Sequence, residues 1–484
     1  MYLGIDLGTS AVKAVVTDAG EVVAEASVNL TVSRPGPRMS EQSPQDWWQA
    51  TDAAVRQLRD YAPGIDAVGL SGQMHGAVLL DDGGRVLRNA ILWNDGRSEA
   101  ECKALEAAVD VPALTGNRAM PGFTAPKLLW VRRHEPQTFE RTGTVLLPKD
   151  YLRYRMTGEF ASDLSDASGT LLLDVGGRRY SERMFDATGL SLSQMPRLVE
   201  GSEVTGALRA DVAAGWGMKR VPVVGGAGDQ AAGAVGAGAV VAGVSFLSLG
   251  TSGVYFVPDS TCRPNPEGGV HAFCHALPGM WHQMSVILSA ASALAWVTGL
   301  TGAESEAALI DEVESSGAGP GSVYFLPYLS GERTPHNDAN ALGAFVGLDH
   351  DVDRARLAYA VLEGVAFALA DGQRVLEEAG ANIGEVSVIG GGARSAYWGR
   401  VLSAALGRSL TYREDAAVGP ALGAARLAAL GHQGGDPAKV CPQAPVVETV
   451  QASSGEIERS QSRFLTYRAL YEDLKDRFPS LRDA

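Results

Sequence analysis

The tetrapeptide Leu-Gly-Thr-Ser occurs twice in this chain, at residues 7–10 and again at residues 249–252. The two copies lie half a chain length apart, because the chain has 484 residues. Each copy follows one apolar strand pattern and precedes another, as in YLGIDLGTSAVKAVV and VSFLSLGTSGVYFV. The same strand-turn-strand opening in both halves predicts two copies of one structural unit.

The elements that follow the first copy indicate the fold class. Three strands are predicted within residues 2–30, and a helix capped by Ser43, with Pro44 at its first position, comes next. The buried-strand pattern IDAVGLSG completes the first unit. Short strands that alternate with helices predict an α/β chain.

The second half repeats this order. A hairpin about Pro278-Gly279 and a helix follow the second copy, and EVSVIGGGARSAYWGRVLSAALG then predicts a strand, a glycine turn and a helix. An amphipathic helix is predicted near the C-terminus. We therefore divide the chain into an N-terminal lobe, residues 1–243, and a C-terminal lobe, residues 244–484.

The repeated turn has the chemistry of a phosphate-binding loop. A glycine followed by Thr-Ser between two strands offers free N–H groups and two hydroxyls without a lysine. An acid stands before the first turn, where a carboxylate can hold hydrated Mg²⁺ beside a polyphosphate. One such turn alone is common structural chemistry, but two at matching positions predict a nucleotide gripped from both lobes. The predicted residues are Asp6, Gly8, Thr9, Ser10, Gly250, Thr251 and Ser252.

A second motif, VVGGAGDQAAGAVGAG at residues 223–238, places Asp229 and Gln230 after a strand and a glycine turn. Its glycines resemble a Walker A loop, but Ala234 and Val235 replace the required Lys-Ser/Thr, and the chain has no G-x-G-x-x-G. Two interpretations of Asp229 stay open: a carboxylate that faces a ligand across a close-approaching backbone, and a cap on the following helix.

A third group of polar and aromatic side chains follows two successive strands, in LSGQMHG and ILWNDGR. Aromatic, amide, acid and imidazole groups together suit a polyhydroxy ligand. Each residue taken singly is also compatible with ordinary packing, so the clustering carries the prediction. The predicted sugar-binding residues are Met74, His75, Trp93, Asn94, Asp95, Asp229 and Gln230.

Net charge and cysteine usage restrict the partners. A net charge of −15 argues against nucleic acid or an anionic membrane as a partner. Four cysteines without a CxxC pair fit a reducing cytoplasm. The uncharged stretch 231–247 is rich in glycine and small side chains, which favours close packing over a membrane span. A zinc site formed from His271, Cys274, His275 and His282 is less favoured than ordinary strand positions.

Beyond these features, the sequence resembles the FGGY family of carbohydrate kinases from residue 2 to about residue 430. GIDLGTSAVKAVV resembles the family's first phosphate motif, and GFTAPKLLWVRRH fits its first signature. GAFVGLDHDVDRARLAYAVLEG approaches the second signature and departs from it at Arg356, which we interpret as an exposed helix position. GQMHG, WNDGR, LPYLSGERTPHND and IGGGARSAYW extend the resemblance.

The resemblance implies an actin/hexokinase-like ATPase fold, with two ribonuclease H-like lobes around a central cleft. It also implies ATP-dependent phosphorylation of D-xylulose to D-xylulose 5-phosphate in the cytoplasm. Asp229 is then the expected general base, and Asp6 the expected Mg²⁺ and phosphate carboxylate. Met74 and His75 are expected at the sugar. The expected nucleotide loop comprises Gly391, Gly392, Ala393 and Ser395, with Arg394 beside it.

Three alternatives remain at this stage. The same reaction on another sugar, such as L-xylulose, ribulose, rhamnulose, gluconate or glycerol, depends only on the pocket residues between positions 73 and 97. An actin- or Hsp70-like switch ATPase needs no sugar pocket. A sugar sensor without catalysis would be expected to have lost Asp6 or Asp229, and both are present. A homodimer is a candidate assembly.

Overall fold

A computed structural model describes residues 1–317, 319–414 and 419–482 of the chain, with the side chains of Ala393 and Arg394 left outside that description. Within the described residues, the two halves are each built on a mixed sheet of seven strands. The two Leu-Gly-Thr-Ser turns occupy the same place in the two sheets, between the first and second strand of each half.

The N-terminal sheet holds its first strand, Tyr2–Leu7, at the centre. Ala11–Asp18 pairs with it antiparallel on one side, and Ala67–Gly72 pairs with it parallel on the other. In spatial order the strands are Val204–Ala207, Pro222–Val224, Ala67–Gly72, Tyr2–Leu7, Ala11–Asp18 and Glu21–Asn29, with Ala227–Gly228 also paired to Ala67–Gly72.

The C-terminal sheet repeats this arrangement. Ser245–Leu249 is central, Gly253–Asp259 pairs with it antiparallel, and Val386–Ile389 pairs with it parallel. In spatial order the strands are His271–Cys274, Trp281–Ile287, Gly253–Asp259, Ser245–Leu249, Val386–Ile389, Leu410–Arg413 and Val446–Val450. The shared order and strand directions support a duplicated unit.

Helices cover the outer face of each sheet. The helix Pro44–Gln57 is capped by Ser43, whose side chain accepts a hydrogen bond from the N–H of Asp46, and its Trp47 is buried in the N-terminal core. Arg354–Glu378 is buried along most of its length over the C-terminal sheet. The C-terminal helix Ser454–Leu474 packs on this layer through Tyr467 and Tyr471.

Two helices occupy the inner layer between the lobes, Asp229–Ala237 and Pro420–Gln433. The second comes from the C-terminal half of the sequence, yet it packs on the N-terminal strands Tyr2–Leu7 and Ala67–Gly72. A Cβ on Gly69 would lie 1.9 Å from the carbonyl oxygen of Ala424. Glycine in the strand therefore permits a backbone approach that no other residue allows.

Shorter elements complete the described chain. The remaining strands are Glu41–Gln42, Val78–Leu80, Ala90–Ile91, Thr144–Leu146, Ala161–Asp163, Leu173–Asp174, Arg179–Tyr180, Arg197–Val199, Tyr324–Leu326 and Ala344–Val346. The remaining α-helices are Glu99–Ala108, Val111–Thr115, Thr124–His134, Pro136–Glu140, Pro148–Thr157, Leu164–Ser168, Glu182–Thr188, Ala210–Trp216, Ala291–Thr301, Glu306–Ser316, Ala396–Leu406, Pro437–Val440 and Phe478–Arg482. The 3₁₀ helices are Ala62–Gly64, Leu192–Gln194, Gly391–Arg394 and Lys475–Arg477.

The predicted fold class is confirmed: two α/β lobes, each with a mixed sheet, enclose a central cleft. A hydrophobic cluster continues across the cleft floor, joining Met74 and Ala234 to Phe246, Phe256 and Phe273. The division near residue 243 stays a prediction. None of the helices in the described part of the chain combines the length and the apolar character needed to cross a membrane.

Candidate active site

A cavity of about 150 Å³ lies between the lobes and receives side chains from both. Five of its residues belong to the predicted sugar-binding set, and the other seven come from the C-terminal half. Its lining is Met74, His75, Trp93, Asp229, Gln230, Ser252, Val254, His271, Phe273, Met284, Val286 and Arg333.

Asp229 is the first residue of the inner helix Asp229–Ala237, directly after Gly228. Its Oδ1 accepts a hydrogen bond from the N–H of Gln230 at 2.8 Å, but Gly228 is the N-cap of this helix, so Asp229 is a first-turn residue that lines the cavity and not the cap. Burial, with a further contribution from the charge of Asp6, raises the pKa of Asp229 to about 7. A carboxylate with this pKa can accept a proton near neutral pH.

Asp6 lies at the end of the central strand, immediately before the first turn. Its Oδ1 is buried and has no hydrogen-bond partner within the described residues. Burial raises the pKa of Asp6 to about 6, opposed by Ser71 and by the charge of Lys13. A buried carboxylate oxygen without a partner suits a divalent cation or its coordinated water, so the residues present fit Mg²⁺.

The two Gly-Thr-Ser turns leave backbone donors free. The N–H groups of Thr9, Ser10, Thr251 and Ser252 have no acceptor in the described parts of the chain, whereas the N–H of Gly8 bonds to Ala11. None of the four residues is buried, so these N–H groups are open to a ligand, and phosphate oxygens can accept hydrogen bonds from them.

The second turn lines the cavity through Ser252, and the first turn is joined to the cavity lining through Trp93. Thr9 donates its hydroxyl hydrogen to Gln73 at 2.9 Å and accepts a hydrogen bond from the indole N–H of Trp93 at 3.0 Å. Trp93 and Ser252 line the cavity directly. A polyphosphate bound between the two turns would therefore have its last phosphate at the cavity that Asp229 lines.

The glycine loop 390–392 packs on the strand that leads into the second turn. A Cβ on Gly392 would lie 2.9 Å from the Cβ of Leu249, so the loop and the turn are in contact. Ser395 caps the following helix by accepting a hydrogen bond from the N–H of Trp398 at 3.1 Å. The side chain of Ala393, also predicted at the nucleotide, lies outside the described residues.

His75 is fixed in an unusual backbone conformation, with φ 69°. Its Nδ1 lies 2.7 Å from the carbonyl oxygen of Gly169, and its own carbonyl accepts a hydrogen bond from Lys127 Nζ at 2.8 Å. Burial, reinforced by the charge of Lys127, holds the pKa of His75 well below its usual value, so the ring is neutral. Because a carbonyl only accepts, Nδ1 carries the hydrogen and Nε2 is left as an acceptor.

Two predicted sugar-binding residues do not line the cavity. Asn94 is an exposed turn residue. The carboxylate of Asp95 is fully buried and accepts hydrogen bonds from the Arg97 guanidinium and from the N–H of Ser40. The sequence shows Trp93, Asn94 and Asp95 as one motif, but only the first faces the cavity.

The sequence analysis missed most of the C-terminal wall. His271 and Phe273 alternate on the first strand of the hairpin, and their shared spacing of two residues was the available signal. Arg333 belongs to the GERTPHND loop, whose concentration of charged residues marks it but does not show which of them faces the cavity.

Comparison with known proteins agrees with this geometry. Models of the N-terminal and C-terminal domains of the FGGY family of carbohydrate kinases match residues 1–236 and 246–432. The chain is 54% identical to a xylulose kinase of Escherichia coli (strain K12), over 98% of this chain and 99% of the relative. It is 55% identical to a xylulose kinase of Klebsiella pneumoniae, over 88% of this chain and 89% of the relative.

A crystal structure of a xylulose kinase from Brucella ovis superposes with a TM-score of 0.94 at 49% identity, covering 98% of this chain and 99% of that one. The two family domains together account for most of the chain, and they include both turns, Asp229 and the cavity walls. The chain belongs to the FGGY family of carbohydrate kinases.

Proposed function

We propose that this chain transfers the γ-phosphoryl group of ATP to the 5-hydroxyl of D-xylulose, giving D-xylulose 5-phosphate and ADP. The observation that carries the proposal is a cavity that Asp229 lines together with Ser252 of the second Gly-Thr-Ser turn and with Trp93, which is hydrogen-bonded to Thr9 of the first turn. The xylulose kinases at 54% and 55% identity support the choice of sugar.

Asp229 is the proposed general base. It accepts the proton of the sugar hydroxyl as the new O–P bond forms and the bond from the γ-phosphorus to the bridging oxygen breaks. Its pKa of about 7 matches this task, because the group is substantially ionised at neutral pH yet basic enough to accept a proton. Neutral His75 offers Nε2 to a sugar hydroxyl and holds the sugar beside the base.

The two turns are the proposed polyphosphate site. Their free N–H groups donate to phosphate oxygens from both lobes, and fixed donors stabilise charge without having to reorient. Asp6 would hold Mg²⁺ through a water coordinated to the ion, and that water would be the hydrogen-bond partner of the buried Oδ1. When bound, Mg²⁺ neutralises charge on the β- and γ-phosphates.

A coupled assay of ADP release with Mg-ATP tests the proposal. The sugars are D-xylulose, L-xylulose, D-ribulose, L-ribulose and glycerol, with a reaction that lacks sugar as the baseline. We expect D-xylulose to give the highest kcat/KM and the baseline to be low. Preference for another sugar would support the kinase reaction and assign it a different substrate. High ADP release that ignores every sugar would instead indicate a switch ATPase.

We also place the enzyme in the cytoplasm, where ATP is available and where its four cysteines, all free here, would stay reduced. A homodimer is the proposed assembly. Light scattering coupled to size-exclusion chromatography tests it, since a dimer has twice the chain mass of 50.7 kDa.

A further inference from the structure

Arg333 is a cationic side chain in the sugar cavity that the proposed mechanism does not use. Among the described residues, no carboxylate lies within ion-pair distance of its guanidinium, and no oxygen accepts a hydrogen bond from it. The adjacent carboxyl does not neutralise it at neutral pH, because burial raises the pKa of Glu332 to about 8.

The backbone that carries Arg333 is rigidly held. Glu332 Oε1 accepts hydrogen bonds from the N–H of Arg333 at 2.7 Å and of Leu288 at 2.9 Å. On the other side, Thr334 exchanges two hydrogen bonds with Val286, each 3.0 Å long. The loop is thereby joined to the end of the strand Trp281–Ile287, and the position of Arg333 against the cavity is fixed in advance.

Arg333 is half-buried at the cavity wall, and its guanidinium keeps its proton. Its five N–H donors are therefore available to acceptor atoms of a ligand. The cavity otherwise offers mainly neutral imidazoles, thioethers and apolar side chains near this group.

Arg333 and Asp229 line the cavity from different halves of the chain, since Arg333 belongs to the C-terminal wall and Asp229 begins the inner helix Asp229–Ala237. The charge of Arg333 lowers the pKa of His75 and of His271, two imidazoles of the same lining. A sugar whose 5-hydroxyl meets Asp229 would consequently extend its first and second carbons toward Arg333.

The chemistry of the substrate shows what that end carries. A 2-ketopentose can close a five-membered ring only through its 5-hydroxyl, so a sugar that is phosphorylated at this oxygen must react in its open-chain form. The open chain exposes a carbonyl oxygen at C2 beside the hydroxyl at C1. Both oxygens accept hydrogen bonds, in the forked arrangement that a guanidinium satisfies.

We infer that Arg333 binds the C1–C2 end of the open-chain ketose and selects a ketose over the corresponding polyol. The inference rests on the proposed function, since it assigns the far end of the same substrate. Arg333 is here a specificity residue, and it takes no part in proton transfer.

The test compares D-xylulose with xylitol, which has a hydroxyl in place of the C2 carbonyl. The enzymes are the wild type, Arg333→Met, Arg333→Lys and the control Arg34→Met, which replaces an exposed arginine. We expect Arg333→Met to raise the KM for D-xylulose roughly 10- to 100-fold while kcat changes little. The inhibition constant of xylitol against D-xylulose should rise by a smaller factor, because xylitol keeps the C1 hydroxyl oxygen but lacks the C2 carbonyl oxygen. Arg333→Lys should fall between Arg333→Met and the wild type, and Arg34→Met should match the wild type.

A melting experiment separates this role from a structural one. Without sugar, Arg333→Met should melt no lower than the wild type, because it removes a half-buried charge that has no ion-pair partner among the described residues. D-xylulose should raise the melting temperature of the wild type and raise that of the variant far less at the same concentration.

Three results would overturn the inference: a fall in kcat at unchanged KM, equal weakening of D-xylulose and xylitol, or a lower melting temperature with an undiminished response to D-xylulose. If the wild type fails to phosphorylate D-xylulose at all, the proposed function is at fault instead. The wild-type assay thus distinguishes the two failures.

Discussion

Asp229 and Asp6 are two carboxylates in one cleft. Burial raises the pKa of Asp229 to about 7 and that of Asp6 to about 6. They are assigned different tasks, because one is exposed to the sugar cavity and the other stands at the first phosphate turn. Replacing Asp229 with Asn keeps the shape of the side chain and removes the base. We expect kcat to fall about 10²- to 10⁴-fold, while calorimetry still detects binding of D-xylulose and of ATP. Unchanged turnover would show that Asp229 is not the general base.

The raised pKa of Asp229 also predicts how kcat/KM and stability change with pH. The wild-type kcat/KM should rise with pH and level off above about 7, where the base is ionised. Between its ordinary value of 3.8 and about 7, the folded protein keeps a proton that the unfolded chain has lost, so stability falls as pH rises. Asp229→Asn should therefore be more stable than the wild type above pH 7, by at most about 4 kcal/mol, with little difference near pH 4. Denaturant titrations at the two pH values measure this.

Asp6→Asn tests the metal assignment. The variant keeps a polar group at the turn but loses the charge that would hold Mg²⁺. We expect the Mg²⁺ concentration for half-maximal activity to rise at least about tenfold, while the KM for D-xylulose changes little. Activity titrated against Mg²⁺ at fixed ATP gives the answer, and a wild-type Mg²⁺ dependence would contradict the assignment.

The sequence predicted some site residues more directly than others. Asp229 follows a strand and a glycine turn, which by itself predicts a side chain at a strand end beside open backbone. Asp95 stands in an equally polar motif, but its carboxylate pairs with Arg97 in the interior. The carboxylate of Asp95 also accepts a hydrogen bond from the N–H of Ser40, 55 residues away in the chain, and local sequence does not show which acid is enclosed by such a long-range contact.

Among the elements, the inner helices Asp229–Ala237 and Pro420–Gln433 couple the base to the far end of the chain. A Cβ on Gly423 would lie 1.8 Å from the carbonyl oxygen of Ala232, so Gly423→Ala must move one helix away from the other. We expect a loss of about 1–3 kcal/mol in stability and a fall in kcat as Asp229 shifts. Chemical denaturation and steady-state kinetics measure both.

The matched control is Gly299→Ala, also within a helix, where an added Cβ meets no atom of the described residues within 4 Å. It should gain up to about 1 kcal/mol in stability through helix propensity and keep full activity. Gly423→Ala with wild-type stability and turnover would show that the helices separate without consequence.

Strands and helices were easier to predict than their layering. The alternating patterns predicted the central strands, the helix that begins at Pro44 and the hairpin about Pro278-Gly279. The placement of Pro420–Gln433 on the N-terminal strands was not predicted, because that contact depends on glycines separated by hundreds of residues. Periodicity reports which face of an element is buried and not which lobe covers it.

For the whole molecule, a cavity walled by both lobes predicts a conformational response to sugar. A ligand that contacts the N-terminal residues His75 and Asp229 and the C-terminal wall at once favours approach of the lobes. We expect small-angle X-ray scattering to give a smaller radius of gyration with D-xylulose than without it. The Asp229→Asn variant allows the measurement with ATP also present, and an unchanged radius in every condition would argue against closure.

The inner helix Pro420–Gln433 also affects how the chain folds during translation. The N-terminal sheet has all of its strands once residue 228 has been synthesised, but the helix that covers its inner face comes almost two hundred residues later. At ordinary rates of translation, that face of the sheet stays uncovered for roughly 10–40 s. The nascent N-terminal lobe therefore leaves the ribosome with a face of small apolar residues open, and its folding is completed only when the second lobe has been translated.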